Sequence, residues 1–178
     1  MKTLSFSILS LLLSAQAMAA TPIKTCTAEF KLEDGKAPYL LQAEVYKNNG
    51  SVIAKVSGMN DGKPVAPEEE KVKIQKFKVR PNLLKEMSSS SDTDAESAED
   101  IESKYNEGEM LLFMASELKD AELSVVKSEL SYDVNDVRSV TVYKFGDDDG
   151  TAIFEAYNKK GKSLGSYFMV MLSLAPCK

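Results

Sequence analysis

The stretch YLLQAEVYKNNGSVIAKVSGM, residues 39–59, decides the fold. Two runs of mixed apolar and polar residues flank Asn48-Asn49-Gly50 at its centre. Asn-Gly is the strongest short hairpin signal in a sequence, because both residues accept the positive φ that a tight two-residue turn requires. The stretch therefore predicts two antiparallel strands joined by a tight turn.

The segments on either side of this hairpin also predict strands. Upstream, residues 26–33 alternate apolar and polar side chains and end at Asp34-Gly35, which is typical of a half-buried strand followed by a turn. Downstream, residues 71–80 predict a strand that Pro81 closes. Its apolar residues change face at the middle, so we predict a β-bulge at Gln75-Lys76 that returns them to one side.

Residues 110–118 are the ambiguous segment. Their apolar side chains fit one face of a helix, yet a short continuous apolar run is also typical of a buried strand. We interpret the segment as a strand, with a helix as the alternative.

Three further strands are predicted in the C-terminal third, at residues 137–145, 151–157 and 163–174. The last is apolar on both sides, which is typical of a strand covered on both faces. Strands at this spacing predict an all-β, mainly antiparallel fold: a meander barrel or sandwich of about eight or nine strands with a long acidic loop. One short helix near residues 95–118 is the variant of this fold that we also consider.

The long acidic loop comprises residues 88–109, a flexible, serine-rich insert in what we predict to be a single β-rich domain, residues 20–178. The insert carries eight acidic residues and one basic residue, whereas the rest of the mature chain is nearly balanced in charge. The acidity therefore belongs to one segment. Because phosphate binding requires a net basic surface, this distribution argues against a nucleic-acid partner.

Residues 1–19 have the features of a secretory signal peptide. Lys2 gives a positive start, residues 4–13 are mostly apolar, and Ala17-Met18-Ala19 fits the small-residue rule for cleavage. The apolar run is shorter than a bilayer span, so we predict cleavage and a soluble product without a membrane span. The expected location is periplasmic or secreted.

Cys26 and Cys177 are the only cysteines and lie near opposite ends of the mature chain. In an oxidising compartment an even pair predicts a disulfide bond, which would tie the first strand to the last. A redox-active pair normally has closely spaced cysteines, so we interpret this bond as structural.

The absence of histidine restricts the chemistry open to the chain. Ser-His-Asp and Cys-His catalysis and the usual zinc hydrolase sites all require this residue. A calcium loop beginning at Asp92 also fails, because Ser97 and Ser103 stand where such a loop needs Gly and Glu. We therefore predict no catalytic residue, no metal site, no cofactor and no enzymatic activity. A carboxylate-based enzyme is the third-ranked alternative.

The favoured function is non-catalytic binding of a protein or an envelope component. Basic residues cluster along one predicted strand, and with the bulge most of them would share its outward face: Lys71, Lys73, Lys76, Lys78 and Arg80. We predict that this basic strand is an interaction face. The acidic insert could lie back over it, or a partner could compete with the insert for it.

The second function is a carrier of a small apolar ligand inside a barrel. The residues that would line its interior are Phe30, Tyr46, Phe154, Phe168 and Met171. Small barrels usually fill their interiors with side chains, so we rank this function below binding.

Overall fold

The computed structural model describes residues 21–30, 38–48, 50–60, 62–90, 104–118, 130–146, 151–170 and 173–178. The predicted signal peptide, residues 1–19, lies outside this set. The described strands are β1 (Lys24–Phe30), β2 (Tyr39–Asn48), β3 (Ser51–Asn60), β4 (Lys63–Lys78), β5 (Val137–Phe145), β6 (Thr151–Asn158), β7 (Ser163–Val170) and β8 (Ser173–Pro176). The described helices are α1 (Leu83–Ser90), α2 (Glu107–Glu117) and a short 3-10 helix (Val134–Asp136) before β5.

Each strand pairs in antiparallel fashion with the next one along the chain, in the order β1 to β8. The first and last strands then meet. Thr25 and Lys178 exchange two backbone hydrogen bonds, with N–O distances of 3.1 and 2.8 Å. The disulfide bond joins Cys26 of β1 to Cys177, which directly follows β8, with Cα atoms 4.3 Å apart. The sheet is a nearly closed barrel, which confirms the predicted all-β meander and the predicted disulfide bond.

β4 is the long strand that the two halves of the barrel share. Residues 63–71 pair with β3, whereas residues 72–78 pair with β5. The register with β5 is continuous, so the bulge predicted at Gln75-Lys76 is wrong. The apolar residues change face for another reason: each face of β4 has one apolar contact of its own in this stretch. Val72 packs inside the barrel and Phe77 packs beneath the helices.

Two hydrophobic clusters lie on opposite faces of the half-sheet β5–β8. The inner cluster fills the barrel with Phe145 and Phe168, which pack against small residues of the other half such as Ala43. The outer cluster places Phe154 and its neighbours beneath α1 and α2, where Leu112 is fully buried. Burying each large apolar side chain stabilises the fold by roughly 1.5–3 kcal/mol. This double coverage explains why β7 is apolar on both faces.

Residues 110–118 lie mainly in α2, so our interpretation of them as a strand is wrong. Asn106 caps this helix. Its side chain accepts a hydrogen bond from the Glu109 N–H at 3.1 Å, and the Glu109 carboxylate accepts one from the Asn106 N–H at 3.2 Å. This reciprocal capping box fixes the first turn. Leu112 and Ala115 then fall on the face that is buried against the sheet.

Both ends of the predicted acidic insert belong to helices. Residues 88–90 end α1, and Glu107 begins α2, with Glu109 buried in its first turn. Residues 91–103 lie outside the described residues. Within the described part of the chain, no helix is long and apolar enough to cross a membrane.

Gly108 lies where α2 packs closely against Phe77 of β4. A Cβ atom added at this position would lie 2.8 Å from the Cβ of Phe77 and 3.1 Å from its ring. Replacing Gly108 with Ala should therefore destabilise the fold by about 1–3 kcal/mol through overpacking, although Ala favours an isolated helix by about 1 kcal/mol. Urea unfolding followed by circular dichroism measures the difference. Glu117→Ala, at an exposed position of α2, is the control, and a stabilised Gly108→Ala variant would contradict the close contact.

Candidate binding site at the barrel mouth

The inner face of β4–β7 changes from apolar to polar along the strands. At one end, Phe145, Ile153 and Phe168 are buried in the inner cluster. Toward the other end, the same face carries two polar cross-strand rows, which we call the barrel mouth. One row is Lys76, Thr141, Glu155 and Ser166, and the next is Lys78, Ser139, Tyr157 and Ser163.

A groove of about 260 Å³ lies in the barrel mouth, where Lys76, Ser139, Thr141, Tyr157 and Gly161 line it. Thr141 is buried, whereas Lys76 is exposed. Each of the three hydroxyl groups can donate or accept a hydrogen bond. The groove therefore offers a cation and several hydroxyl groups to a polar occupant.

Lys24 of β1 reaches into the barrel mouth and neutralises its one carboxylate. The Lys24 Nζ lies 2.6 Å from the Glu155 carboxylate, and their side chains are only 13% and 14% exposed. The same ammonium donates a hydrogen bond to the Ser166 Oγ at 2.9 Å and lies 5.6 Å from the centre of the Tyr143 ring. Glu155 is thus paired within the protein.

The protonation states of the barrel mouth follow from these contacts. Burial by itself raises the pKa of Glu155, but hydrogen bonds from Lys24 and Ser163 outweigh burial, and the net pKa is lowered. Burial, together with the hydrogen bond to Glu155, raises the pKa of Tyr157 to about 12. At neutral pH, Glu155 is therefore ionised and Tyr157 is a neutral hydrogen-bond donor.

Lys76 and Lys78 supply the net charge of the barrel mouth. Both side chains are exposed, and neither forms an ion pair with any residue that the structure describes. Since Lys24 already balances Glu155, these two ammonium groups give the barrel mouth an excess of positive charge.

The predicted basic strand does not form one face. Because β4 contains no bulge at its middle, Lys76 and Lys78 point to the inner side, whereas Lys71 and Lys73 have the opposite parity. Arg80 follows the strand and turns toward the helices, where Glu109 binds it. The expectation that most of these residues share an outward face is wrong.

Arg80 is committed to an internal ion pair. The Glu109 carboxylate, only 1% exposed, accepts hydrogen bonds from the Arg80 backbone N–H at 2.9 Å, from Nε at 2.8 Å and from Nη2 at 3.1 Å. The Arg80 guanidinium also lies 4.7 Å from the centre of the Tyr105 ring. Burial opposes ionisation of Glu109, but the bonds from Arg80 outweigh burial and lower the pKa of Glu109.

One end of the acidic insert therefore contacts one end of the basic strand. Glu109 holds Arg80, and Glu107 lies 3.0 Å from the Lys144 ammonium of β5. The hypothesis that the rest of the insert lies over the basic strand concerns residues 91–103, which lie outside the described residues. It stays a prediction.

The residues expected to line a ligand cavity are not brought together. Phe168 lies in the inner cluster, whereas Phe154 lies in the outer cluster on the opposite face of the sheet. Tyr46 bonds through its hydroxyl to Glu44 of the same strand, at 2.5 Å. The Phe30 side chain and Met171 lie outside the described residues.

Sequence reasoning missed Lys24, Glu155, Tyr157 and Thr141. The available signal was weak: polar residues replace apolar ones on the inner side of β6, from Ile153 to Glu155 and Tyr157. Alternation alone gives no reason to pair Glu155 with a lysine from the other end of the chain, because β1 reaches it only after the barrel closes.

Comparison with known proteins gives no further assignment. No family model, no curated protein and no solved structure matches this chain. Among the described residues, no group of three or more Cys, Asp or Glu side chains is arranged to hold a metal ion. The geometry of the barrel mouth is therefore the basis for assigning a function.

Replacing Glu109 with Gln should destabilise the fold by about 2 kcal/mol at neutral pH, because hydrogen bonds to a charged group are lost. The lowered pKa of Glu109 means that its stabilisation is complete above its unfolded-state pKa and disappears as pH falls through the folded-state value. The difference between wild type and variant should therefore shrink below about pH 4. Urea unfolding across this pH range measures it, with the exposed Glu117→Gln as control; a pH-independent difference would contradict the ion pair.

Replacing Lys24 with Met should leave the Glu155 carboxyl buried without its cation. Its pKa should then rise, because the burial that opposes ionisation remains, and stability at neutral pH should fall by about 2–3 kcal/mol. Carbon-13 NMR titration of the Glu155 carboxyl and urea unfolding measure the two effects. Lys55→Met, which breaks an exposed pair with Glu69, should cost only about 0–1 kcal/mol. An unchanged Glu155 titration would show that Lys24 does not hold this carboxylate.

Proposed function

We propose that this protein is an exported, non-catalytic binding protein that holds an acidic protein or envelope component at the barrel mouth. The observation that carries the proposal is the unbalanced charge of Lys76 and Lys78 beside the groove. Because Lys24 neutralises Glu155, an anionic occupant would meet two exposed ammonium groups and no uncompensated carboxylate among the described residues.

The groove chemistry supports binding. Ser139, Thr141 and Tyr157 present hydroxyl groups beside Lys76. Their combination with ammonium groups suits carboxylate oxygens, which accept charge-assisted hydrogen bonds. Tyr157 remains protonated at neutral pH and donates its proton to Glu155, so its hydroxyl adds no negative charge beside the groove.

Export is supported by two independent features. The first is the signal-peptide pattern of residues 1–19. The second is the disulfide bond between Cys26 and Cys177, since such bonds persist mainly in oxidising compartments. Together they favour a periplasmic or secreted location.

The carrier alternative has less support. Phe145, Ile153 and Phe168 are fully buried in the inner cluster, so side chains occupy the described barrel interior. The lining residues that the carrier requires lie on both faces of the sheet. We therefore place the binding site at the barrel mouth and not in the core.

A labelled acidic peptide, a dodecamer of alternating Glu and Thr, tests this function. It should bind the wild-type protein in fluorescence anisotropy, and a Lys-Thr counterpart should not. Replacing Lys76 and Lys78 with Glu should weaken binding at least about tenfold, because two favourable contacts become repulsive. Amide chemical shifts in NMR should change in the barrel mouth when the acidic peptide is added.

The matched control replaces Lys63 and Lys85, two exposed lysines outside the barrel mouth, with Glu. This variant has the same net charge as the Lys76/Lys78 variant and should bind within about twofold of wild type, since distant exposed charges are screened. Equal losses in both variants would mean that only overall charge matters, and the barrel mouth would not be the binding site.

A further inference from the structure

Residues 72–78 of β4 pair with β5 along one edge of the strand. The opposite edge of the same residues does not face β5. The Val79 N–H donates to the Arg138 carbonyl at 3.0 Å, and the Lys71 carbonyl accepts from the Gly146 N–H at 3.2 Å. Successive residues of a strand direct their backbone groups to opposite edges. The odd-numbered residues from 71 to 79 therefore face β5, and the even-numbered residues face away from it.

The far end of this second edge is already satisfied by side chains. The Asn106 Nδ2 donates to the Lys78 carbonyl at 2.9 Å, and the Arg80 N–H donates to the Glu109 carboxylate at 2.9 Å. Both Asn106 and Glu109 come from the first turn of α2 and its cap. They stand where a neighbouring strand would stand, so the helix closes the edge at Lys78 and Arg80.

The near end of the edge is closed by β3, whose pairing with β4 stops at Lys71. Between these two limits, Ile74 and Lys76 direct their N–H and C=O groups away from β5. No strand pairs with them on that side within the described part of the chain. Both residues are exposed, Ile74 by 44%. We call the backbone edge at Ile74 and Lys76 the open edge.

The side chains around the open edge select its occupant. Lys76 is part of the open edge and Lys78 follows it, and both side chains lie on the inner face. Residues 71–80 contain no acidic residue. Lysines on a strand edge disfavour pairing with a second copy of the same edge, because like charges would lie opposite one another. An incoming strand with carboxylates at alternate positions would instead place one directly opposite Lys76, with the two Cβ atoms about 5 Å apart, and diagonally across from Lys78.

We propose that the open edge binds an extended acidic segment of a partner protein, which joins the sheet as an additional antiparallel strand. The proposal deepens the function proposed above and rests on it. The acidic occupant now has a conformation. Its backbone bonds to Ile74 and Lys76, and its carboxylates lie on the same face of the sheet as the ammonium groups of Lys76 and Lys78. Every strand pair of the barrel is antiparallel, and the added strand likewise runs antiparallel to β4.

The competing explanation is that the lysines only protect an exposed edge from aggregation. An acidic peptide would then bind through charge alone, without any requirement on its backbone. The two explanations differ in the hydrogen-bond donors of the peptide, which can be removed without a change of charge.

Three forms of the acidic dodecamer test the proposal: unmodified, N-methylated at the Glu residues, and N-methylated at the Thr residues. In an antiparallel pair, the residues opposite Ile74 and Lys76 direct their N–H groups toward the open edge. Methylation at the Glu residues should therefore weaken binding at least about tenfold, whereas methylation at the Thr residues should change it less than about threefold. Equal binding of all three peptides would overturn strand addition.

The protein side supplies a matched pair of variants. Ile74→Pro removes a backbone donor on the open edge and leaves the groups that face β5 intact, since proline is tolerated at strand edges. It should lose about tenfold in affinity, whereas Ile74→Ala, which keeps the N–H, should lose only a small part of it. Equal affinities of the two variants would count against strand addition. Circular dichroism checks that both variants fold, and the methylated peptides decide the question if Ile74→Pro does not.

The outcomes separate the two proposals. If the unmodified peptide does not bind, or if charge reversal at Lys76 and Lys78 leaves its affinity unchanged, the proposed function is wrong. If its affinity depends on those lysines but N-methylation leaves the affinity unchanged, the proposed function is supported and strand addition is wrong. Self-association of the protein that Ile74→Pro abolishes, seen by analytical ultracentrifugation, would assign the open edge to a second copy and overturn a separate partner.

Discussion

The division of β4 between two neighbours controls the architecture. Its first part belongs with β3 and its second part with β5, so the strand carries the chain from one half of the barrel to the other. The two halves differ in how they are covered. The helices cover the outer face of the β5–β8 half, and the β1–β3 half covers its inner face. The barrel mouth forms where that inner cover ends, beyond the last paired residue of β3.

The inner face of β5–β7 is thus one continuous surface with an apolar part and a polar part. Where the opposite half-sheet covers it, large aromatic residues meet alanines and exclude water. Where cover is lost, charged and hydroxyl residues replace them, and Lys24 from β1 lies at the boundary. Its pairing with Glu155 lets a carboxylate remain ionised near the core, because an unpaired one would pay the cost of desolvation alone.

The hairpin of residues 39–59, the meander order and the disulfide bond were predictable, because turn chemistry and cysteine count are local signals. The helix at Glu107–Glu117 was not. Its deciding signal is the capping box of Asn106 and Glu109, and Glu109 was assigned to the acidic insert on composition. The split of the lysines between two faces follows from simple alternation along β4, and the bulge that we predicted at Gln75-Lys76 obscured it. Glu155 and Lys24 become neighbours only when the barrel closes, and the predicted disulfide bond indicated that the ends meet without fixing which side chains lie together.

The closure of the barrel has a consequence for chain connectivity. Thr25 and Lys178 are hydrogen-bonded to each other, so the two ends of the folded unit lie side by side. The order of the strands around the barrel is therefore circular, and the point at which the polypeptide opens is not dictated by packing. A circular permutant would join these ends through a short linker and open at the exposed turn around Gly161. It would retain the strand pairings and lose only the covalent connection between β6 and β7. In such a chain the covalent link would hold β1 beside β8 as the disulfide bond does here.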